Sequence, residues 1–290
     1  MKFKSLVFAL TALLLSACSR LDGAANQPAD VFVADGKGII GGEAVEDDDP
    51  IASRTALLIN LYHGSICTVS ILNEEWLLTA AHCVVDVEPK GFHVAFTGSF
   101  YDYILGLHQE DVRLVENYFV HPAFVETIDK INEMVDKAKE EGRELTKEEV
   151  DSLTDWGDIA LIRIQGKIPA SKTPVALMDP ATVLEKGQAV VLAGYGRTGT
   201  EWDEVGGELR KVTVTISEPA WGKTEVLLNN SGTGACYGDS GGPAYVYVGG
   251  EYRLFGVTSR GVGGSGCDHF SVYTNAVSYL NWIRHIIETN

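Results

Sequence analysis

Short apolar runs separated by turn residues recur along most of the chain after residue 50. The runs are rich in β-branched and aromatic residues and too short for typical helices, which favours strands. They cover residues 55–62, 66–72, 76–79, 92–96, 113–120, 159–164, 189–193, 211–216, 254–259 and 271–274. Many short strands separated by turns are typical of antiparallel β-barrels.

Two segments follow helical spacing instead. Within residues 125–153, apolar side chains recur at helical spacing among acidic residues and lysines. Thr146 and Glu149 then predict a capping box at the start of a second short helix. This stretch therefore predicts a helical hairpin inserted between strands, either a lid over a binding cleft or a solvated decoration. Residues 276–287 predict an amphipathic C-terminal helix.

The first 38 residues differ from the rest of the chain. Residues 1–17 carry two lysines and then an apolar stretch too short to span a membrane, which is typical of a signal peptide. The sequence around Cys18, Leu-Ser-Ala-Cys, resembles the bacterial lipobox, in which the cysteine is acylated. The alternative is an ordinary signal cleaved near Ala17. Residues 18–38 predict a flexible tether or pro-segment.

The composition limits the possible partners. The 290 residues carry a formal net charge of −17, which argues against nucleic acid as a partner and mildly favours cationic substrates. No metal-binding spacing such as H-E-x-x-H and no phosphate-binding loop is present, so we expect no metal and no cofactor. The predicted lipid on Cys18 would make the protein an exported lipoprotein of the outer membrane, periplasm or cell surface.

Three motifs hold a serine, a histidine and a carboxylate in contexts that suit nucleophilic catalysis. Ser240 lies in Gly-Asp-Ser-Gly-Gly-Pro, where the glycines permit a sharp turn. His82 lies in Thr-Ala-Ala-His-Cys, and Asp158 begins Asp-Ile-Ala-Leu. A serine hydroxyl needs a base to take its proton and a carboxylate to orient that base. Because the serine motif alone more often marks a glycine-rich turn, the prediction depends on all three.

In this order, the motifs resemble those of the trypsin/chymotrypsin family of serine endopeptidases, over about residues 39–290. The resemblance implies an all-β fold of two antiparallel six-stranded β-barrels, here with the helical insertion and a C-terminal helix. It implies a monomer in which His82, Asp158 and Ser240 hydrolyse protein or peptide substrates through an acyl-enzyme. The N–H groups of Gly238 and Ser240 would bind the oxyanion. The alternative is an inactive or uncut binding module on the same scaffold.

The resemblance also implies activation by a cut in the chain. Residues 39–42, Ile-Ile-Gly-Gly, resemble the family's mature N-terminus. A cut before Ile39 would free an α-ammonium group that pairs with Asp239. Gly38, and not a basic residue, precedes this bond, so the activating protease is not identified. The alternative is a strand that is never cut.

The family pairing of cysteines joins Cys67 to Cys83 and Cys236 to Cys267. The alternative is four free thiols in a reducing compartment. With Cys18 on the lipid, no disulfide would hold residues 18–38 to the domain, so a cut before Ile39 would release the protease from the membrane.

By resemblance, the specificity pocket comprises Gly234, Ala235, Ser259, Gly261 and Ser271. Gly234 stands where trypsin-like enzymes have an aspartate, so cleavage after Lys or Arg is not expected. The pocket should be a roomy, mostly apolar slot suited to Phe, Tyr, Leu or Met. Two departures bear on it: Arg260 replaces a family aromatic residue, and His269 lies near enough to admit an acidic group.

Overall fold

The computed structural model of the chain describes residues 39–199, 206–230, 232–264, 267 and 269–290. The predicted signal peptide, Cys18 and the tether lie outside these residues. A two-residue strand, β1 (Glu43–Ala44), precedes the first barrel. The strands of that barrel are β2 (Thr55–Asn60), β3 (Ser65–Ile71), β4 (Trp76–Thr79), β5 (Phe92–Ala95), β6 (Val112–Val120) and β7 (Ala160–Ile164). They close in the order β2-β3-β4-β7-β6-β5, and every pairing is antiparallel.

The second barrel follows in the chain. Its strands are β8 (Ala189–Gly194), β9 (Arg210–Trp221), β10 (Glu225–Asn229), β11 (Pro243–Val248), β12 (Glu251–Val262) and β13 (Phe270–Asn275). It closes because β8 pairs with both β9 and β11, while β1 adds to the free side of β9. The predicted fold of two six-stranded barrels is confirmed. Neither β10 nor β11 was predicted, since β10 begins with a charged residue and β11 starts at the proline of the serine motif.

Four α-helices are described: α1 (Phe100–Ile104), α2 (Pro122–Glu140), α3 (Lys147–Asp151) and α4 (Leu280–Thr289). The insertion's first helix begins before the predicted residue 125, because Pro122 suits the first helical position and His121 Nδ1 accepts from the N–H of Ala123. The apolar face of α2 is buried against the core of the first barrel. The predicted capping box forms at the start of α3. The predicted C-terminal helix is present as α4, after a 3₁₀ turn.

Two disulfides cross-link the barrels' loops. Cys67 is bonded to Cys83 and Cys236 to Cys267, with 16 and 31 residues of sequence separation. Loop-closure entropy gives about 3 and nearly 4 kcal/mol of stabilisation, respectively. Within the described part of the chain, no helix has the length and apolar character needed to cross a membrane.

Candidate active site

His82 and Asp158 meet because the strands beside them are neighbours. Thr79, at the end of β4, pairs with Ala160, at the start of β7. His82 therefore follows one strand and Asp158 precedes its partner at the same edge of the first barrel. The backbone N–H of His82 donates to Asp158 Oδ1 at 3.0 Å, and the ring nitrogen Nδ1 lies 2.8 Å from Oδ2. Two contacts to one carboxylate fix both the turn and the orientation of the imidazole ring.

The second barrel also contacts Asp158. The hydroxyl of Ser259, on β12, donates to Asp158 Oδ2 at 2.6 Å. The hydroxyl of Thr274, on β13, donates to the main-chain oxygen of Asp158 at 2.9 Å. Asp158 is only 1% exposed, so the donors from His82 and Ser259 replace the water that its carboxylate loses on folding.

The pKa values of the two groups move in opposite directions. Burial alone lowers the pKa of His82, but the charge and hydrogen bond of Asp158 outweigh this effect and raise it above 6.5. Burial alone raises the pKa of Asp158, but the charge of His82 and the hydrogen bonds from His82 and Ser259 bring it below its usual value. Asp158 is therefore ionised when His82 titrates, and it stabilises the imidazolium form.

The Ser240 loop packs against the turn that carries His82. The main-chain oxygen of Ser240 accepts from the N–H of Thr68 at 2.8 Å, and Thr68 follows Cys67, which is bonded to Cys83. Gly241 has φ +79°, and a Cβ atom there would overlap the hydroxyl of Thr79. Only glycine therefore permits this close approach. Among the described residues, Ser240 Oγ has no hydrogen-bond partner, and the His82 ring is hydrogen-bonded to Asp158.

In two peptide groups beside Ser240, the oxygen is hydrogen-bonded to the protein and the N–H group is not paired with any described residue. The oxygen of Tyr237 accepts from the N–H of Arg197 at 2.8 Å, and the oxygen of Asp239 accepts from the N–H of Gly242 at 2.8 Å. The C=O and N–H of a trans peptide point in opposite directions. The N–H groups of Gly238 and Ser240 therefore point away from these contacts, and no described residue accepts a hydrogen bond from them.

Asp239 is buried without a cation. Its side chain accepts from the N–H groups of Gly196 and Cys236, both at 2.8 Å, and the residue is 1% exposed. Burial raises the pKa of Asp239 to about 7, because the two N–H groups offset only part of the desolvation. In the part of the chain that the structure describes, no cationic side chain forms an ion pair with it.

Ile39 lies in the core of the second barrel. It is 1% exposed and has φ +38°, an unfavourable conformation for a β-branched residue. The next residue, Ile40, exchanges two backbone hydrogen bonds with Gly234, at 3.0 and 2.9 Å. The segment that begins at Ile39 is thus already seated beside the loop that carries Asp239.

The predicted pocket residues lie in this same region. Gly261 and Ser271 face each other in the register of β12 and β13. Gly234 and Ala235 are buried. The hydroxyl of Ser259 is hydrogen-bonded to Asp158. His269 is exposed, and its main-chain oxygen accepts from the N–H of Asn230. Asn230 was not predicted from the sequence, because a polar residue that follows a strand is typical of an ordinary loop.

Arg260, which replaces a family aromatic residue, belongs to a buried ionic cluster. Its Nη1 and Nη2 donate to the two oxygens of Glu225 at 2.8 and 2.9 Å, and Nη2 also donates to the oxygen of Leu153 at 3.0 Å. The guanidinium group lies 4.3 Å from the ring centroid of Trp156, and the backbone N–H of Trp156 donates to Glu225 Oε1 at 3.1 Å. The cluster ties the end of the insertion to the strand that carries Ser259. Glu225 was also missed, because its partner lies 35 residues away.

Comparison with known proteins identifies the family. The profile of the Trypsin family matches residues 41–283. The chain belongs to the trypsin family. It is 29% identical over 277 residues to "CLIP domain-containing serine protease B4" of Anopheles gambiae, covering 85% of this chain and 69% of the relative. It is 27% identical over 290 residues to "Trypsin Blo t 3" of Blomia tropicalis, covering 93% of this chain and 94% of the relative.

We expect Arg260→Leu to lower the free energy of unfolding by about 3–5 kcal/mol, because it leaves the buried Glu225 carboxylate without its cation. The additional change Glu225→Gln should recover part of this loss, since a glutamine oxygen can still accept from Trp156. Urea unfolding of the two variants and of the parent protein measures both effects. A loss below 1 kcal/mol for Arg260→Leu would contradict the role given to the cluster.

Proposed function

We propose that residues 39–290 form a serine endopeptidase domain that hydrolyses protein or peptide substrates. The observation that carries this proposal is the His82 imidazole held by buried Asp158 directly beside the Ser240 loop. Nδ1 of His82 is occupied by Asp158, and Nε2 lies 3.8 Å from Cys83 Sγ. Sulfur is only a weak hydrogen-bond acceptor, so Nε2 can act as the base. Membership of the trypsin family supports the same chemistry.

In this mechanism, Ser240 Oγ attacks the carbonyl carbon of the scissile peptide bond while His82 Nε2 takes the hydroxyl proton. The N–H groups of Gly238 and Ser240 bind the oxyanion that develops on the substrate. His82 then donates the proton to the leaving amine, and an acyl-enzyme remains. Water, activated by the same imidazole, hydrolyses the ester and restores Ser240. Asp158 stabilises the imidazolium form in both steps.

A fluorophosphonate probe tests this proposal directly. Replacing residues 34–38 with an enteropeptidase site, four aspartates and a lysine, allows a defined cut that leaves Ile39 as the N-terminus. We expect the cut protein to be labelled at Ser240 and to hydrolyse peptide substrates, and Ser240→Ala to do neither. A folded, cut protein that is not labelled would leave only the binding-module alternative.

The pH dependence of labelling tests the role of His82. Only the neutral imidazole can act as a base, and Asp158 raises the pKa of His82 above 6.5. We therefore expect the labelling rate to rise with pH through a midpoint above 6.5. Asp158→Asn should lower that midpoint and reduce the rate by about 10⁴-fold. A midpoint that stays unchanged in Asp158→Asn would contradict this assignment.

We propose further that cleavage of the Gly38–Ile39 bond activates the enzyme. The cut would create an α-ammonium group on Ile39, and among the described residues of the uncut chain no cationic side chain pairs with the buried carboxyl of Asp239. Pairing of the two charges would fix the loop between Gly238 and Ser240 and hence the oxyanion site. The hydrogen bonds between Ile40 and Gly234 support this, because they already hold the segment after the cut against the loop that leads to Asp239.

This activation predicts different pH dependence of stability before and after the cut. In the uncut protein, the pKa of Asp239 is about 7 in the folded state, against 3.8 for an ordinary aspartate, so the folded state binds more protons than the unfolded state between these two pH values. The free energy of unfolding therefore falls as pH rises through this range, and Asp239 contributes about 1.4 kcal/mol of the fall per pH unit. After the cut, the ammonium group removes this loss.

Urea unfolding of Ser240→Ala at pH 5 and pH 8 measures the difference without self-digestion. We expect the uncut form to lose roughly 2–3 kcal/mol more than the cut form between these two pH values. The contribution of His82 is common to both forms and cancels. Equal losses in the two forms would contradict pairing of Ile39 with Asp239.

We propose that the protein is exported with residues 1–17 as its signal peptide and is anchored through a lipid on Cys18. Residues 18–38 would then tether the domain to the membrane. The remaining four cysteines are bonded to each other, so no covalent bond would hold the tether to the domain after the cut. Activation would release the protease from the membrane surface.

Detergent partitioning tests anchor and release separately. When the enteropeptidase version is made in a bacterium that processes lipoproteins, the uncut protein should enter the detergent phase, since each buried CH₂ group contributes about 0.8 kcal/mol. Cys18→Ser should stay in the aqueous phase. After the cut, the domain labelled at Ser240 should also move to the aqueous phase. A labelled domain that remains in the detergent phase contradicts release.

A further inference from the structure

A cavity of about 440 Å³ lies where the turn before β2 meets strands of the second barrel. Its volume is in the range typical of small-molecule sites. The residues that line it do not include His82, Asp158 or Ser240, so the cavity is separate from the candidate active site. Residues from both barrels contribute to its walls, among them Arg54, Val191, Thr213, Tyr245, Tyr247 and Tyr252.

Arg54 brings a positive charge without a partner to this cavity. The residue is half-buried, and its buried Nε has no hydrogen-bond acceptor. No described residue accepts a hydrogen bond from Nη1 or Nη2 or forms an ion pair with them, and these two nitrogens are not among the buried unsatisfied atoms. A guanidinium group normally donates two parallel hydrogen bonds to an anion. The structure therefore leaves a ready partner for an anion at the cavity wall.

The acidic side chains on the segments around the cavity are already paired with other cations. Asp49 Oδ2 lies 2.5 Å from Lys211 Nζ. Glu251, which lines the cavity, has its Oε2 2.7 Å from Arg253 Nη2. Arg54 is therefore left without a counter-ion although the chain carries a formal net charge of −17. An unbalanced cation in so acidic a protein points to an anion that is not part of the chain.

Tyrosine rings form an aromatic wall beside this charge. The ring centroids of Tyr245 and Tyr252 are 5.7 Å apart, and those of Tyr247 and Tyr252 are 5.2 Å apart. Burial raises the pKa of Tyr245, and the nearby charge of Arg54 opposes this rise. Tyr247 is 63% exposed, so its ring is accessible to a ligand. Aromatic rings pack well against other aromatic groups at centroid distances of about 4.5–7 Å.

We propose that this cavity binds a small organic carboxylate with an aromatic body. The carboxylate would accept hydrogen bonds from the Arg54 guanidinium group, and the body would pack against the rings of Tyr247 and Tyr252. This second site does not depend on the proposed peptidase function, because it shares no residue with the candidate catalytic groups.

The composition of the cavity favours a carboxylate over other ligand classes. One guanidinium group neutralises one negative charge, whereas a phosphate monoester carries about −1.5 to −2 at pH 7. The second charge would lie close to Glu251 and to tyrosine rings. A cation is repelled by Arg54. A neutral aromatic molecule would fill the space but leave the guanidinium group without an acceptor.

Isothermal titration calorimetry of the full-length, uncut Cys18→Ser protein tests the proposal with three probes. The aromatic carboxylate 2-naphthoate carries both features, 2-naphthamide has the same body without the charge, and acetate has the charge without the body. We expect 2-naphthoate to bind at least about tenfold more tightly than either of the others. Equal affinities of 2-naphthoate and 2-naphthamide overturn the proposal, as does no binding of 2-naphthoate up to about 1 mM.

The substitution Arg54→Gln locates the site. It removes the charge and keeps part of the side-chain length, so the affinity for 2-naphthoate should fall by at least about tenfold, to that of 2-naphthamide. Arg253→Gln is the matched control, because it removes a neighbouring cation that is already paired with Glu251. Its affinity should stay within about twofold of the parent. An equal loss in both variants, or no loss in Arg54→Gln, contradicts the assignment.

Two further variants keep the test decisive. His82→Ala removes the other group that could attract a carboxylate, and we expect it to leave the affinity for 2-naphthoate unchanged. A loss in His82→Ala would place the probe in the candidate active site and overturn the proposal. If Arg54→Gln does not fold, Tyr247→Ala at its exposed position decides, since it should weaken 2-naphthoate and 2-naphthamide alike. Unchanged affinities in Tyr247→Ala contradict the site.

Failure of this proposal is distinguishable from failure of the proposed peptidase function. Binding of 2-naphthoate is measured on the uncut protein and needs no catalysis. Fluorophosphonate labelling of Ser240 after the cut reports on the peptidase alone. Either result can therefore be negative while the other is positive.

Discussion

The buried carboxylate of Asp158 is the interaction on which the arrangement of the two barrels depends. An ionised group that is 1% exposed is tolerated only if donors replace its water, and here the donors come from both barrels. His82 belongs to the first barrel, whereas Ser259 belongs to the second. A shift of one barrel relative to the other would leave this charge unsatisfied. The orientation of the imidazole ring is therefore a consequence of how the whole domain packs.

Three buried carboxylates differ in how they are compensated. Asp158 has a histidine and a hydroxyl group, and Glu225 has the two-pronged guanidinium of Arg260. Among the described residues, the side chain of Asp239 accepts only from two backbone N–H groups, and its pKa is accordingly raised to about 7. The poorly compensated charge is the one next to the candidate nucleophile. A cation placed beside Asp239 would stabilise the folded protein more than one placed beside Asp158 or Glu225, because those two carboxylates are already paired. This makes Asp239 suited to a switch.

The sequence predicted the parts of this structure that depend on local pattern. Short apolar runs predicted ten of the barrel strands, and helical spacing predicted the insertion. The strand that begins at Glu225 escaped detection, because a charged residue argues against a buried strand unless its partner is known. That partner, Arg260, is distant in sequence and looked like a departure from the family pattern. Only the folded chain shows that Arg260 and Glu225 pair with each other, which explains the presence of both residues.

Matching a sequence to a family residue by residue predicts backbone features better than side-chain features, as the surroundings of Gly234 illustrate. The backbone conformation at Gly238 and Ser240 depends on a local motif whose glycines permit the turn, and such a motif is visible in the sequence. A side chain instead occupies whatever volume its neighbours leave. The missing side chain at Gly234 leaves room that Asn230, four residues earlier, fills with its amide. The missing side chain at Gly234 therefore does not by itself predict an apolar surrounding at this position.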